Sequence, residues 1–423
     1  MQPKKFLYTL LRKSERHSKT DMVYLAHGGF WLTLWQSVTA LSALIVSIIF
    51  ANFLPKEVFG IYRYILSLSA IAGSFSLSGI GGAVTQAVAK GYEQTLVSAF
   101  RMNLKWSSLT TLVSWAMATY YYVNGNNTLA LALFGIGLIL PLYNSFILYG
   151  AYLSGKKHFK ENAIYGIFLS IVPATLLVSV FFFTQNPAIL ALVSLGAGLC
   201  VAAFFYVYVL RKYKPYGGSS SAALTYGKHA SLMGILGVIA LQIDGILIFH
   251  YIGAAELAAY ALALAFPQYI WNLLRNISTL ALPKFAAKDI HDIKKVLPKK
   301  ILLLSAGAAL LSLCYILVAP FLFNIFFPLY PEAVIISQVL SLSLLGIASA
   351  ISITVLQAML ATKKVYVYTF TSSAFHIITA VIFIPLWGVI GAAISYTATR
   401  IFSLVLSLIL IKNLESSKGP VQK

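Results

Sequence analysis

Residues Arg211–Lys228 read RKYKPYGGSSSAALTYGK, and this polar stretch divides twelve long apolar segments into six and six. Its Gly and Ser residues give it the composition of a flexible connector, and it carries four Lys or Arg. Outward from it, the apolar segments fall near 30–53, 61–88, 106–123, 128–153, 162–184, 188–210, 229–252, 257–282, 300–323, 333–361, 365–385 and 388–411. About 20 apolar residues carry a helix across the hydrocarbon core, so each segment reads as a membrane span. The expected fold is an all-α integral membrane protein with about 12 transmembrane helices in two six-helix lobes. The expected organisation is a cytoplasmic N-terminal segment (1–29), an N-lobe (30–210), a linker (211–228), a C-lobe (229–411) and a cytoplasmic tail (412–423). An even split of this kind is what parallel repeats produce.

Composition agrees. The 423 residues are 59% hydrophobic and 10% charged, with mean hydropathy +0.84, too few polar groups to clothe a soluble globule. A net charge of +20 invites a nucleic-acid reading. Yet 27 of the 31 Lys and Arg lie in the terminal segments and alternate short loops, leaving Lys56 alone in the other loops. That pattern is the positive-inside signature of a multi-pass protein with both termini in the cytoplasm. The partners it implies are anionic lipid headgroups rather than nucleic acid. Cys200 and Cys314 both fall within spans and suggest neither a disulfide framework nor a metal site. Residues 1–29 are too polar, and the first span too long, for a cleaved signal peptide.

The loops on the other side are too short to hold a catalytic domain. A faint internal echo links the halves: LPKEVFGIY leads into the second span and IGAAELAAY into the eighth, each with one acid (Glu57, Glu256) and then a Tyr (Tyr62, Tyr260). Lys284–Lys300, KFAAKDIHDIKKVLPKK, can form a short surface amphipathic helix or a solvated connector. Gly150–Lys157, GAYLSGKK, has a Lys where a phosphate-binding loop has Ser or Thr, and it follows a span rather than a strand, so no nucleotide is assigned. The sequon Asn126-Asn127-Thr128 abuts a span and reads as chance.

Four fixed charges lie inside spans: Arg63, Asp244, Arg275 and Arg400. Such charges cost about 2.5–3.5 kcal/mol at a helix centre on insertion scales and usually face protein or a water-filled cavity. Their sum, +2, favours an anion. Arg63 is shallow enough to snorkel; Arg275 is deeper, and Arg400 is near the middle of its segment. Gln268, Trp271, Asn272, Arg275 and Ser278 recur at helical spacing after Pro267, lining one face with hydrogen-bonding groups and an aromatic ring. Tyr396, Arg400, Ser403 and Ser407 form a weaker stripe, and the first span contributes Trp35, Gln36 and Thr39. Helix packing through small and polar residues is the competing reading of these stripes. The substrate-binding set is therefore Arg63, Arg275, Arg400, Gln268, Trp271, Asn272, Gln36 and Trp35. Asp244, the one acid within a span, either binds a coupling H⁺ or Na⁺ or neutralises a neighbouring Arg; no other cofactor is expected. His229, His250 and His376 sit on different segments and read as packing or interfacial residues.

In order and spacing, LPKEVFGIYRY, SLSGIGGAVTQAVAK (Ser76–Lys90), Asp244 with the following YIGAAELAAYALA, Pro283, and PLWGVIGAA (Pro385–Ala393) span nearly the whole chain. In these motifs the sequence resembles the oligosaccharide flippases, the polysaccharide-biosynthesis translocases of the multidrug/oligosaccharidyl-lipid/polysaccharide exporter superfamily. The resemblance implies two lobes rocking about a central cavity by alternating access. It implies transport of polyprenyl-pyrophosphate-linked oligosaccharide repeat units, undecaprenyl-linked in family members, from the cytoplasmic to the outer leaflet. That serves surface polysaccharide such as lipopolysaccharide or exopolysaccharide. It further implies a bacterial or archaeal cytoplasmic (inner) membrane, and polysaccharide polymerase machinery as a partner. Arg63 and Arg275 match spans that line the cavity in related flippases; the correspondence of Arg400 is less direct. Lipid II flippases typically have two further spans, absent here.

The residues alone are compatible with that function: Arg forks suit pyrophosphate oxygens, and Gln268, Asn272 and Trp271 suit sugars. A cation-coupled multidrug antiporter of the same superfamily is the alternative, but an exporter of cationic drugs would be expected to concentrate acids in its spans. A membrane polysaccharide polymerase or glycosyltransferase, an alternative of another class, would need a large exterior loop or an acidic catalytic pair. The protein is expected not to be an enzyme.

Overall fold

A computed structural model describes residues 22–279, 290–359 and 361–413. Within these residues the regular structure is entirely helical, as hydrocarbon requires, because a helix satisfies its own backbone polar groups. Among the described residues, nine helices are long and apolar enough to cross a membrane. The remaining expected spans are accounted for by two helices broken into shorter pieces and one very long helix that turns back on itself. The chain divides into two compact units, Met1–Ile246 and Leu247–Lys423.

The first unit contains α1 (Met22–Phe53), α2 (Lys56–Ser74), α3 (Ile80–Ala89), α4 (Thr95–Trp106) and α5 (Ser108–Val123). It continues through α6 (Asn127–Phe146), α7 (Tyr149–Gly155), α8 (Phe159–Phe181), α9 (Pro187–Tyr213) and most of α10 (Ser221–Tyr251). α1 packs along α8, α5 along α6, and α9 against both α6 and α8. The expected second span is interrupted at Phe75–Gly79, and buried side chains replace the lost helical bonds. Asn103 Oδ1 accepts the Leu77 N–H at 3.0 Å, and Ser231 Oγ accepts the Gly79 N–H at 2.9 Å. Non-helical backbone survives at membrane depth only with such partners. GAYLSGKK is mostly the short helix α7. Asn126 is the N-cap of α6, its Oδ1 accepting from the Leu129 N–H at 3.0 Å.

Within the polar stretch Arg211–Lys228 only residues 214–220 are irregular, and they are fastened to the first unit. The Glu93 carboxylate, 3% exposed, accepts from Tyr152 Oη and Lys156 Nζ, both at 2.7 Å, and from the Tyr216 backbone. Thr95 Oγ1 accepts the Ser220 N–H at 3.0 Å. Tyr213 and Lys212 both donate to Glu161. Burial alone would raise the Glu93 carboxyl, but the Lys156 and Tyr152 hydrogen bonds and the Lys156 charge together outweigh it and hold it below the usual glutamate value. Gly and Ser composition alone suggests flexibility; these partners anchor the segment.

The second unit contains α11 (Ala254–Thr279), α12 (Ile290–Phe326), α13 (Glu332–Ser341), a 3₁₀ segment (Leu342–Ile347), α14 (Ala348–Ala358) and α15 (Thr362–Lys412). α11 packs on α13, while α14 and the 3₁₀ segment pack on α15. Residues 290–300 are continuous with the span in α12 rather than a separate surface helix. Pro283, residues 284–289, most of the N-terminal segment and the end of the tail lie outside the described residues. α15 is a hairpin: at Gly388 (φ 63°) the backbone leaves the helix, in a region where only glycine avoids a Cβ penalty. Its arms run antiparallel, pairing Ser372 with Ser403, His376 with Thr399, and Thr379 with Ser395. The echoed motifs are two helix starts, with Glu57 and Glu256 in the first turns of α2 and α11, where the helix dipole favours an acid.

Candidate functional site

In the second unit, α11 and the second arm of α15 bring together four residues of the sequence-derived set, with Tyr396 at their centre. α11 presents Gln268, Trp271 and Asn272 on one face because they recur at three- and four-residue spacing. Trp271 is 5% exposed, in an apolar cluster with Ala308, Leu344 and Ile347. That packing fixes its ring. The Arg400 guanidinium carbon lies 4.1 Å from the Trp271 ring centroid and 4.9 Å from that of Tyr396. Cation–π contacts of this kind hold an Arg without neutralising it.

Hydrogen bonds extend the cluster in one direction. Arg400 Nη2 donates to Tyr396 Oη at 2.7 Å, and Tyr396 Oη donates to Gln268 Oε1 at 2.8 Å. Gln268 Nε2 then donates to Asn272 Oδ1 at 3.3 Å. Arg400 spends one N–H on these bonds and keeps the rest of its fork, and the Asn272 amide N–H groups are not used by them. A cation, amide donors and a planar ring suit an anion linked to a polyhydroxylated group.

The backbone of Arg400 is placed by a close approach. A Cβ on Gly346 of the 3₁₀ segment would lie 2.5 Å from the Arg400 carbonyl oxygen and 2.9 Å from its Cβ. Only glycine lets the two segments meet there. Neither Gly346 nor this approach carries a sequence signal, because the two positions are far apart in the chain and the glycine lies in an ordinary apolar run.

The other sequence-derived residues lie elsewhere. Arg275, four residues after Trp271, has an exposed side chain. Arg63 is partly buried in α2 of the first unit, and Asp244, 3% exposed, lies in α10. Gln36 is exposed on α1, and the Trp35 indole covers Gly166 of α8. The first unit also holds a cavity of about 490 Å³ whose lining includes Ser69, Ser76, Ser78, Asn103 and Asn144. Sequence reading passed over these neutral residues because hydroxyls and amides in spans are also ordinary helix-packing groups.

With this geometry in place, the sequence model of the polysaccharide biosynthesis protein family matches residues 25–287. The chain belongs to that family. The match includes α11 with Gln268, Trp271, Asn272 and Arg275, and ends before Arg400. This family member has the fold of MATE transporters of the MOP superfamily. The MATE multidrug transporter DinF-BH is similar at TM-score 0.65 and 14% identity, over 93% of this chain and 96% of that one. The outward-facing form of a multidrug resistance MATE family transporter gives TM-score 0.62 and 13% identity, over 92% and 94%. A MOP superfamily transporter from Pyrococcus furiosus, whose binding pocket of reverse polarity suggests a different function, gives TM-score 0.62 and 14% identity, over 92% and 95%. No curated protein matches the sequence.

Proposed function

We propose that this protein is a non-enzymatic flippase of the MOP superfamily. It moves polyprenyl-pyrophosphate-linked oligosaccharides from the cytoplasmic to the outer leaflet of a cytoplasmic membrane by alternating access, supplying surface polysaccharide. The observation that carries the reading is Arg400 held between Trp271 and Tyr396, with the Gln268 and Asn272 amides beside it. Pyrophosphate cannot enter hydrocarbon unpaired, and an Arg whose donors remain available offers the charge-assisted bonds that replace its water. Gln268, Asn272 and the aromatic rings serve the sugar, and Arg63 and Arg275 supply further cationic contacts along its path. Membership in a polysaccharide biosynthesis family supports a saccharide cargo.

Three Arg against one Asp among the in-span fixed charges argues against a cationic drug as cargo. Asp244 serves ion coupling, by H⁺ or Na⁺, or charge pairing. The positive-inside pattern puts both termini in the cytoplasm, and polymerase machinery acts on the delivered unit.

The test is complementation of a bacterial strain whose surface polysaccharide fails for lack of its own flippase. Wild type restores the polysaccharide, and Arg400→Ala and Arg275→Ala, inserted at equal levels, do not. If both variants restore it fully, the cationic binding role is wrong.

A further inference from the structure

We infer that the cavity of about 490 Å³ in the first unit is a binding site for a neutral saccharide, with Asn144 and Ser78 as the groups that bond its hydroxyls. The inference rests on the saccharide cargo proposed above and adds a place where a sugar is recognised. The volume falls in the roughly 300–1,000 Å³ range of small-molecule sites, which combine mostly apolar walls with a few placed polar groups. Here the walls include Leu66, Leu140 and Leu195, and none of the described lining residues is charged. A cation or a phosphate entering such a site would lose its water without meeting a countercharge. A sugar ring has apolar C–H edges for the walls and neutral hydroxyls that both donate and accept.

The polar lining separates into groups that hold the backbone and groups left over. Asn103 is spent at the break between α2 and α3: its Oδ1 accepts the Leu77 N–H, and its Nδ2 donates to the Asn144 carbonyl at 2.9 Å and to Ser145 Oγ at 3.3 Å. The Ser69, Ser74 and Ser76 hydroxyls donate to carbonyls three or four residues earlier, at 2.6, 2.7 and 2.7 Å. Asn144 differs. Its Nδ2 donates one proton to Ser76 Oγ at 3.0 Å, which leaves Oδ1 and the second amide N–H. Ser78 is exposed where it lines the cavity, and its hydroxyl makes no hydrogen bond among the described residues. With its backbone carbonyl bonded by Asn103 and one N–H bonded to Ser76, the Asn144 amide is held in place while an acceptor and a donor stay unused by the protein. Side by side on a fixed amide, they match neighbouring hydroxyls of a sugar, and a site already in place loses little freedom on binding. The break itself borders the cavity through Ser76, Leu77 and Ser78, as irregular backbone at membrane depth does where it lines a site.

The test fills the cavity without removing any of its hydrogen bonds. Gly81 of α3 lines it, and a Cβ there would meet only Ala151 Cβ, at 3.9 Å; Gly82, the next residue, is not part of the lining and has nothing within 4 Å. Gly81→Leu therefore intrudes on the cavity and Gly82→Leu does not, although both make the same change in one helix. Asn144→Leu removes the amide itself. Each full-length protein, in nanodiscs, is titrated with two lipids: undecaprenyl pyrophosphate, and the lipid-linked oligosaccharide extracted from the flippase-deficient strain used for complementation. Wild type is expected to bind the oligosaccharide-linked lipid about tenfold more tightly, the scale of one or two added hydrogen bonds. Gly81→Leu and Asn144→Leu lose that advantage and keep wild-type affinity for undecaprenyl pyrophosphate, while Gly82→Leu matches wild type for both lipids. Equal binding of the two lipids by wild type, a Gly81→Leu protein that matches wild type, or a loss shared by both lipids or by Gly82→Leu overturns the inference and leaves the anion site standing. Binding of neither lipid by the wild type overturns the proposed function with it.

Discussion

Replacing Gly346 by Ala tests whether the position of Arg400 depends on the close approach of the 3₁₀ segment. The added methyl would stand 2.5 Å from the Arg400 carbonyl oxygen, 2.8 Å from its carbonyl carbon and 2.9 Å from its Cβ. Non-bonded heavy atoms settle near ~3.5 Å, so the segments must part by about 1 Å. The obstacle is backbone, which cannot swing aside as a flexible side chain would. Overpacking of this kind costs about 1–3 kcal/mol. The displacement also lifts the guanidinium from the Trp271 ring, where it now sits at 4.1 Å. A misplacement of about 1 Å is enough to weaken a preorganised site tenfold or more. Gly307→Ala on α12 is the control, since nothing lies within 4 Å of its added methyl. Thermal unfolding in detergent and pyrophosphate binding are measured for both variants. Gly346→Ala is expected to unfold at lower temperature and bind at least tenfold more weakly, while Gly307→Ala matches wild type. If both variants match wild type, the close approach at Arg400 does not exist and the account of how Arg400 is placed is wrong.

Two further outcomes are expected. Glu93→Gln removes the charge from a carboxylate that accepts three hydrogen bonds, and is expected to cost about 1–3 kcal/mol near neutral pH, read by thermal unfolding and by faster trypsin cleavage after Lys214. Because the folded carboxyl titrates below its unfolded value, this wild-type advantage is complete above the ordinary glutamate range and disappears as pH falls through it and below the depressed folded value. A wild-type advantage that instead grew on acidification would contradict the carboxylate reading. Gln268→Leu leaves the Tyr396 hydroxyl without its acceptor at 2.8 Å; a loss of about 1–3 kcal/mol in stability and weaker pyrophosphate binding are expected, whereas unchanged binding would separate the amides from the anion site.

The sequence alone determined that this is a helical membrane protein, because the number of apolar residues needed to cross hydrocarbon is fixed and unsatisfied backbone is excluded there. It also determined the face of α11 that carries Gln268, Trp271 and Asn272, since helical spacing is local. The break between the arms of α15 was likewise legible, because the apolar segments 365–385 and 388–411 end and begin there. What the sequence could not determine was which stripes meet. Tyr396 and Arg400 lie more than a hundred residues from Trp271, and a polar stripe reads alike whether it packs or binds. Tertiary packing decided that the second arm of α15 stands over Trp271 while Trp35 is spent against Gly166 of α8. It likewise set His376 within 2.9 Å of Thr399 on the facing arm where the sequence showed an isolated histidine, and anchored residues 214–220 where composition suggested flexibility. The reason is common to all of these: hydropathy and spacing are properties of one segment, whereas a hydrogen-bond partner or a close backbone approach belongs to two segments that only the fold brings together.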